Sequence, residues 1–300
     1  MLLMKVVSLF LLVFSIWPDL ALAEVKTELR IPKGRAVNDS AHDYFTDLML
    51  KALRKAANGR PVPVLVPTME MAPQRTLREL KSGRVIDIFW LGGTRERAQD
   101  LLPIPIPLER GLIGYRQFIV RKDRAADFDS VKNLTDLAKF KACVGAQWVD
   151  TDVLKNAHFN LVTSVGHENL FKQLAAGRCD YFPRAVHEAK IEMANRRTDY
   201  PQLMVYDRLM LHYPFAVYFF VRKEDQELAD WITAGLEQMI DSGEFLANMQ
   251  THPHTRLAFP LTEFATKRML NLPNAYQPEF ADEKNARYWF QPADFGFTNP

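Results

Sequence analysis

One phrase occurs twice in this sequence and constrains the fold more than any other feature. Residues 77–89 (LRELKSGRVIDIF) and residues 170–182 (LFKQLAAGRCDYF) both contain it. In each copy, leucines at helical spacing precede Gly83 or Gly177, and an aspartate then opens an apolar run. This pattern is typical of an amphipathic helix that ends at glycine and turns into a short buried strand. The repeat therefore predicts two α/β lobes, and a pocket for a small molecule is expected between them.

The first residues have the pattern of a cleavable export signal. Lys5 precedes an apolar stretch at residues 6–17, and the small residues of an Ala-Leu-Ala sequence follow at 21–23. The apolar stretch is shorter than the roughly 20 residues that span a bilayer. We expect the mature chain to begin at Glu24, free in the periplasm, because no cysteine is available there for lipid attachment. The alternative is an uncleaved signal that remains as a single membrane anchor.

The charge of the chain argues against two classes of function. The formal net charge is +2, without blocks of one sign, which argues against nucleic-acid or membrane-surface binding.

The two cysteines, Cys143 and Cys179, lie at the starts of strand-like runs in the same half. They form a disulfide if those strands are neighbours in an oxidising compartment, and otherwise are two small buried side chains.

Apolar periodicity predicts the order of elements along the chain. Strands are predicted at 29–31, 62–66, 85–91, 114–121, 141–145, 160–163, 180–182, 203–208 and 215–222. Helices are predicted from a cap at Ser40 to before Asn58, and at 74–81, 131–137, 151–158, 167–176 and 226–240. Lobe 1 is predicted to comprise 24–119 and 208–300, with a C-terminal arm at about 250–300, and lobe 2 to comprise 120–207. Two crossings between the lobes would form the hinge.

Several phrases, in this order, resemble one known family. They are LRELKSGRVID (77–87), GTRER (93–97), PIPL (105–108), VKNLTDL (131–137), LFKQLAAGRCD (170–180) and VYFFVRKED (217–225). Residues 25 to about 250 resemble the type II periplasmic solute-binding proteins of family 3, which include the polar amino-acid receptors of ABC importers. The resemblance implies a two-lobed type II periplasmic-binding fold, with a mixed sheet flanked by helices in each lobe. It also implies a monomeric receptor that delivers a small solute to an inner-membrane ABC permease.

The resemblance also implies a residue that binds the ligand. In the family, the arginine of the phrase after the third strand grips a ligand carboxylate, and here it is Arg97, with Thr94 and Gly92 beside it. A guanidinium presents a planar fork that fits a carboxylate with two hydrogen bonds. The alternative is a surface arginine in a charged loop.

The second half departs from the pattern of amino-acid receptors. Gln147 and Trp148 stand near the place of a Gly-Ser or Gly-Thr pair, and Arg184 stands where an acidic residue would pair with the ligand's ammonium group. Arg97 and Arg184 on opposite walls would favour a ligand with two anionic groups. The alternative for Arg184 is a structural ion pair with Glu188, one helical turn later.

Aromatic residues at the ends of predicted strands and the starts of helices suggest a ligand with an apolar or ring portion. They are Tyr44, Trp90, Trp148 and Phe182, and each could equally belong to the core.

No catalytic motif, cofactor site or metal site is predicted. His252 and His254 flank Pro253 and are interpreted as solvated loop histidines. Two alternatives to an importer receptor remain. One is a ligand-sensing subunit for a membrane signalling protein. The other is a periplasmic lyase or dehydratase on the same fold, for which Asp150, His187 and Glu188 are the candidate acids or bases.

Overall fold

The computed structural model describes residues 26–34 and 39–297. The predicted signal peptide, residues 1–23, lies outside the described residues. None of the described helices is long and apolar enough to cross a membrane.

The described chain contains strands and helices in alternation. The strands are β1 (Glu28–Ile31), β2 (Val64–Pro67), β3 (Ile88–Gly92), β4 (Leu102–Pro103), β5 (Tyr115–Arg121), β6 (Lys141–Gly145), β7 (Asn160–Ser164), β8 (Tyr181–Ala185), β9 (Leu203–His212), β10 (Val217–Val221) and β11 (Arg268–Asn271). The α-helices are α1 (Ser40–Lys55), α2 (Pro73–Ser82), α3 (Arg95–Asp100), α4 (Leu134–Leu137), α5 (Val149–Asn156), α6 (His167–Ala175), α7 (Val186–Arg196), α8 (Gln226–Asp241) and α9 (Glu244–Thr251). Short 3₁₀ helices occupy Leu112–Gly114, Lys122–Ser130, Arg256–Ala258, Leu261–Phe264 and Pro292–Phe295.

These strands form two separate groups, which define two lobes. In what we call the first lobe, β1 pairs parallel with β2, and β10 pairs antiparallel with β3 and β4. In the second lobe, six strands form one sheet in the order β11-β9-β5-β8-β6-β7. This sheet is mixed, because β5 runs antiparallel to β8 and β9 while β6 runs parallel to β7 and β8. Helices α1, α2, α3, α8 and α9 belong to the first lobe, and α4 to α7 belong to the second.

The repeated phrase has the same structure in both lobes. Helix α2 ends before Gly83 and α6 ends before Gly177, and both glycines have positive φ, at 63° and 70°. This left-handed conformation favours glycine, so it explains why the phrase contains one. The aspartates also correspond: Asp87 accepts a hydrogen bond from the backbone N–H of Arg30 at 2.8 Å, and Asp180 accepts one from that of Lys141 at 2.7 Å. Each aspartate thereby ties its strand to the first strand of its own β-α-β unit.

The N-cap of helix α1 lies one residue earlier than predicted. Asp39, not Ser40, is the N-cap, and its carboxylate accepts a hydrogen bond from the backbone N–H of His42 at 3.1 Å. An N-cap side chain that accepts from the N3 amide satisfies one of the free donors of the first turn. This capped end of α1 faces the space between the lobes.

The C-terminal segment contacts both lobes. Strand β11 pairs parallel with β9 at the edge of the second-lobe sheet. The chain then returns to the first lobe, where Trp289, Phe290 and Phe295 enter its apolar core. The predicted lobe boundaries at 119 and 208 fall inside β5 and β9, which both belong entirely to the six-stranded sheet.

Cys143 and Cys179 are disulfide-bonded, with their Cα atoms 5.6 Å apart. Cys143 lies in β6, and Cys179 directly precedes Asp180 and β8, the neighbouring strand. Strands β6 and β8 are therefore neighbours, which is the arrangement under which a disulfide was expected from the sequence.

Candidate ligand-binding site

A cavity of about 380 Å³ lies between the two lobes. Ligand pockets of a few hundred cubic ångströms are usual for small molecules. Its walls are formed by Pro32, Lys33, Gly34, Asp39, Ala41, His42, Phe45, Met71, Thr76, Phe89, Trp90, Leu91, Gly92, Arg97, Ile113, Arg116, Gln147, Trp148, Val149, Asp150, Arg184, Glu188, Phe215 and Val217. Six of the eight residues predicted for the site are in this set: Trp90, Gly92, Arg97, Gln147, Trp148 and Arg184.

Arg97 forms part of the first-lobe wall. Thr94, the N-cap of α3, accepts a hydrogen bond from the backbone N–H of Arg97 at 3.2 Å. The guanidinium turns back toward the end of β3, and its Nη1 donates to the carbonyl of Gly92 at 2.6 Å. Thr94 itself does not line the cavity. Its contribution is to cap α3, and the start of this helix fixes the position of Arg97.

Arg97 has no ion-pair partner within 4 Å among residues 26–34 and 39–297. Burial lowers the pKa of its guanidinium, and the carboxylates of Glu96 and Asp152 offset this effect only in part. A largely desolvated cation without a partner is costly, so this position suits an anionic group from a ligand.

Arg184 on the opposite wall has a different environment. Its Nε and Nη2 donate to the two carboxylate oxygens of Glu192, at 2.9 and 2.7 Å, and Nη2 also lies 2.9 Å from Oε1 of Glu188. The guanidinium stacks over Trp148, with its Cζ 4.9 Å from the ring centroid. Burial would lower the pKa of Arg184, but the carboxylates of Glu188 and Glu192 raise it. The ion pair with Glu188 that the sequence offered as the alternative is present, and Glu192 adds a second.

Sequence reasoning missed a third arginine in the cavity wall. Arg116 lies in β5 with its side chain 2% exposed, and its Nη2 is 2.6 Å from Oδ1 of Asp150. The hydroxyl of Tyr213 donates to that same Oδ1, and Glu188 lies 4.0 Å from Nη1 of Arg116. The sequence feature that could have revealed it is a charged residue within the apolar run of a predicted strand. A charged side chain that is buried in such a strand requires a partner.

Aromatic rings cover much of the remaining wall. Trp90 and Phe89 from β3 face the cavity with Phe45 from α1, and Trp148 and Phe215 contribute from the other side. Tyr44 does not line the cavity. It is fully buried in the first-lobe core, where its hydroxyl donates to the carbonyl of Leu108 at 2.7 Å. Phe182 also packs in the core, between Trp148 and Phe171.

The three residues named for catalysis each lie beside another ionisable side chain. Asp150 and Glu188 line the cavity, but each faces an arginine at 2.6 and 2.9 Å respectively. His187 is buried outside the cavity wall, beside Glu109. None of the three stands unpaired in the cavity as a general base would need to.

No family model matches the sequence, and no curated protein sequence matches it significantly. Solved structures do match. An amino-acid ABC transporter substrate-binding protein of Streptococcus pneumoniae, bound to L-arginine, aligns with TM-score 0.55 and 19% identity over 77% of this chain and 96% of that one. This chain has the periplasmic-binding-protein fold.

Two further structures with that fold bear on the alternatives. An ancestral amino-acid-binding protein, described as a precursor of cyclohexadienyl dehydratase, has TM-score 0.53 and 22% identity over 75% of this chain and 95% of that one. A histidine kinase sensor domain similar to periplasmic binding proteins has TM-score 0.51 and 22% identity over 68% of this chain and 85% of that one. The two-lobed α/β fold predicted from the sequence is confirmed.

Proposed function

We propose that this protein is a periplasmic receptor that binds a small solute with one anionic group, and delivers it to an ABC importer in the inner membrane. Arg97 is the anion-binding residue. The unpaired guanidinium of Arg97 in a cavity between two lobes is the observation on which this proposal rests. The fold it shares with a substrate-binding protein of an amino-acid ABC transporter supports the transport role.

The number of desolvated cations without an acidic partner sets the expected charge of the solute, because an exposed cation such as Lys33, which also lines the wall, is solvated by water. Arg184 is neutralised by Glu188 and Glu192, and Arg116 by Asp150. Of the three arginines in the wall, only Arg97 has no carboxylate within ion-pair distance in the described chain. We therefore propose a single carboxylate or similar anion at Arg97, in place of the two anionic groups suggested by the sequence.

The remaining walls define the rest of the solute. Trp90 and Trp148 provide flat apolar surfaces, and Gln147 offers an amide that can both donate and accept hydrogen bonds. The acidic residues in the second-lobe wall are engaged with arginines, so they are poorly placed to bind an α-ammonium group. A carboxylate with an apolar or ring portion fits these walls better than an ordinary α-amino acid.

The proposed lobes follow the sheets. The first lobe comprises the elements from β1 to β4 with β10, α8 and α9, and the second comprises those from β5 to β9 with β11. The segments at 104–114 and 213–216 connect them and are the proposed hinge, and the C-terminal segment crosses between the lobes twice more, to β11 and back. Closure of the lobes would enclose the solute, and binding to the folded state would raise its thermal stability.

A thermal-shift screen tests the proposal. Amino acids, aromatic carboxylic acids, dicarboxylates and neutral sugars are each added to the wild type and to Arg97→Ala, with Arg78→Ala, an exposed arginine of α2, as the matched control. We expect one class of monocarboxylate to raise the Tm of the wild type and of Arg78→Ala but not that of Arg97→Ala. A shift with neutral sugars alone would contradict the proposal.

Two alternative functions are associated with the same fold. The likeness to a histidine kinase sensor domain supports a sensing subunit, and the genes adjacent to this one would distinguish an importer operon from a signalling one. The likeness to a precursor of a dehydratase supports a lyase, and incubation of the identified solute with the protein would detect turnover. An unchanged solute after long incubation would exclude the lyase.

A further inference from the structure

A buried cluster of three ionisable side chains lies behind the ligand cavity. Glu109, His187 and His254 are 1%, 1% and 8% exposed, and none of them lines the cavity. His254 was interpreted from the sequence as a solvated loop histidine, and this was wrong because the C-terminal segment folds back over α1. The ring of Tyr44 in α1 lies 5.5 Å from that of His254, centroid to centroid.

The cluster joins the two lobes. Glu109 lies in the connecting segment 104–114 and follows Leu108, whose backbone N–H donates to the carbonyl of Val217, so this part of the segment is held beside β10 of the first lobe. His254 follows α9 and also packs on the first lobe. His187 is in the first turn of α7, which belongs to the second lobe. The three side chains meet only because the lobes meet.

Their ligand-type atoms converge on one point. Oε1 of Glu109 is 2.9 Å from Nε2 of His254 and 3.3 Å from Nε2 of His187. One such atom from each of the three residues lies within 4.8 Å of the other two. Four ligands around a zinc ion at about 2.0 to 2.1 Å are separated from one another by roughly 3.3 Å. The distances from Glu109 are close to that separation.

Hydrogen bonds among these residues leave several buried atoms unpartnered. Oε1 of Glu109 accepts a hydrogen bond from Nε2 of His254, but Oε2 of Glu109 and Nδ1 of His187 have no partner, and Nε2 of His187 approaches Oε1 of Glu109 at 3.3 Å without good hydrogen-bond geometry. Buried polar atoms without partners are rare in folded proteins and call for a ligand or ion that satisfies them.

We propose that Glu109, His187 and His254 form a binding site for a divalent cation of the zinc type that bridges the two lobes. Two imidazoles and one carboxylate are a ligand set that zinc uses in proteins, with a fourth position left for water. The ion would be held where the lobes meet, since His254 packs on the first lobe, His187 belongs to the second, and Glu109 lies in the segment that connects them.

The site is linked to solute binding through α7. His187 and Glu188 are consecutive on this helix, and Glu188 is part of the cavity wall while His187 faces the cluster. An ion that fixes His187 also fixes the approach of Glu188 and Arg184 to the cavity. Under the proposed receptor function, the ion would favour the closed arrangement of the lobes, and solute and metal would raise each other's affinity by the same factor.

The test uses the protein without a polyhistidine tag, stripped with a chelator and titrated with Zn²⁺ by calorimetry. His187→Gln removes one ligand at similar size, and Glu109→Gln removes the charge. The control is His158→Asn, since His158 is exposed and distant, and asparagine tolerates its positive φ of 61°. Circular dichroism confirms that each variant is folded. This experiment needs no solute, so it is independent of the receptor proposal.

We expect one Zn²⁺ per chain, an increase in Tm with Zn²⁺, and at least a tenfold loss of Zn²⁺ affinity in His187→Gln and Glu109→Gln but not in His158→Asn. Absence of stoichiometric Zn²⁺ binding by the wild type would overturn the proposal and leave the cluster as a hydrogen-bonded contact between the lobes. Equal affinity of His187→Gln and the wild type would also overturn it, because the ion would then bind elsewhere.

Discussion

The two walls of the cavity carry arginines of opposite character. On the first-lobe wall, Arg97 donates to a backbone carbonyl and has no acidic partner within 4 Å in the described chain. On the second-lobe wall, Arg184 and Arg116 are held in a network with Asp150, Glu188 and Glu192. Under the proposed function, the same residue type would serve binding in one lobe and stability in the other, and the position of carboxylates would decide which.

The second lobe is also the one that is covalently reinforced. The disulfide of Cys143 and Cys179 joins β6 to the start of β8, and Arg184 lies in β8 itself. A rigid second-lobe wall would keep its charges paired when solute enters. The first-lobe wall has its unpaired cation at the start of the short helix α3.

The largest expected effect is on the stability of the second lobe. Replacing both cysteines (Cys143→Ala with Cys179→Ala) opens a loop of 36 residues and should lower the free energy of unfolding by about 4 kcal/mol on the chain-entropy model. Urea unfolding of the double variant and the wild type measures this. A loss below about 1 kcal/mol would show that the disulfide does not stabilise this wall.

Arg97→Ala should affect binding and spare stability. Affinity for the anionic solute is expected to fall by about 3 kcal/mol, because the solute's charge would be buried without its partner. The free energy of unfolding should stay the same or rise, since a desolvated cation is removed. Calorimetric titration and urea unfolding measure the two quantities, with Arg78→Ala as control. Unchanged affinity would remove Arg97 from the site.

The second-lobe network predicts a pH dependence. Burial would raise the pKa of Glu192, but Arg184 and His167 lower it to about 2 from the ordinary 4.5. A carboxyl group whose pKa is lower in the folded state than in the unfolded state stabilises the fold at pH values above its unfolded pKa. This contribution to stability is lost as the pH falls from about 5 to 2. The loss should reach about 3 kcal/mol. Glu192→Gln should flatten this part of the stability curve, and an equally steep curve in that variant would contradict the assignment.

Arg184→Ala should lower stability by a smaller amount and leave affinity nearly unchanged. The cost is expected to be about 2 kcal/mol, below the usual 3 to 5 for a broken buried pair, because Arg116 remains near Glu188 and His167 near Glu192. Urea unfolding and titration are compared with those of Arg178→Ala, an exposed arginine of the same lobe. A loss of affinity as large as that of Arg97→Ala would restore the two-arginine site suggested by the sequence.

Arg97→Lys is the smallest change and separates charge from geometry. Lysine keeps the positive charge but loses the planar fork that binds a carboxylate with two hydrogen bonds. We expect a loss of affinity of about 1 kcal/mol, roughly that of one hydrogen bond. An affinity as low as that of Arg97→Ala would show that the fork is essential, and full affinity would show that a point charge is sufficient.

The sequence by itself determined the repeated β-α-β units and the two-lobed fold. Gly83 and Gly177 mark helix ends whatever surrounds them, because their left-handed backbone is a local requirement. Arg97 was indicated by the family resemblance of the phrase that follows the third strand, since the residues alone favour a surface arginine in a charged loop.

Only the tertiary structure decided the charge of the cavity and the role of each ionisable group. Arg184 meets Glu192 eight residues later, Arg116 in β5 meets Asp150 in the first turn of α5, and Glu109 meets His187 and His254 from distant parts of the chain. Whether a buried charge is free depends on which carboxylates approach it within about 4 Å. That approach is set by how strands and lobes pack, which the linear order of residues does not express.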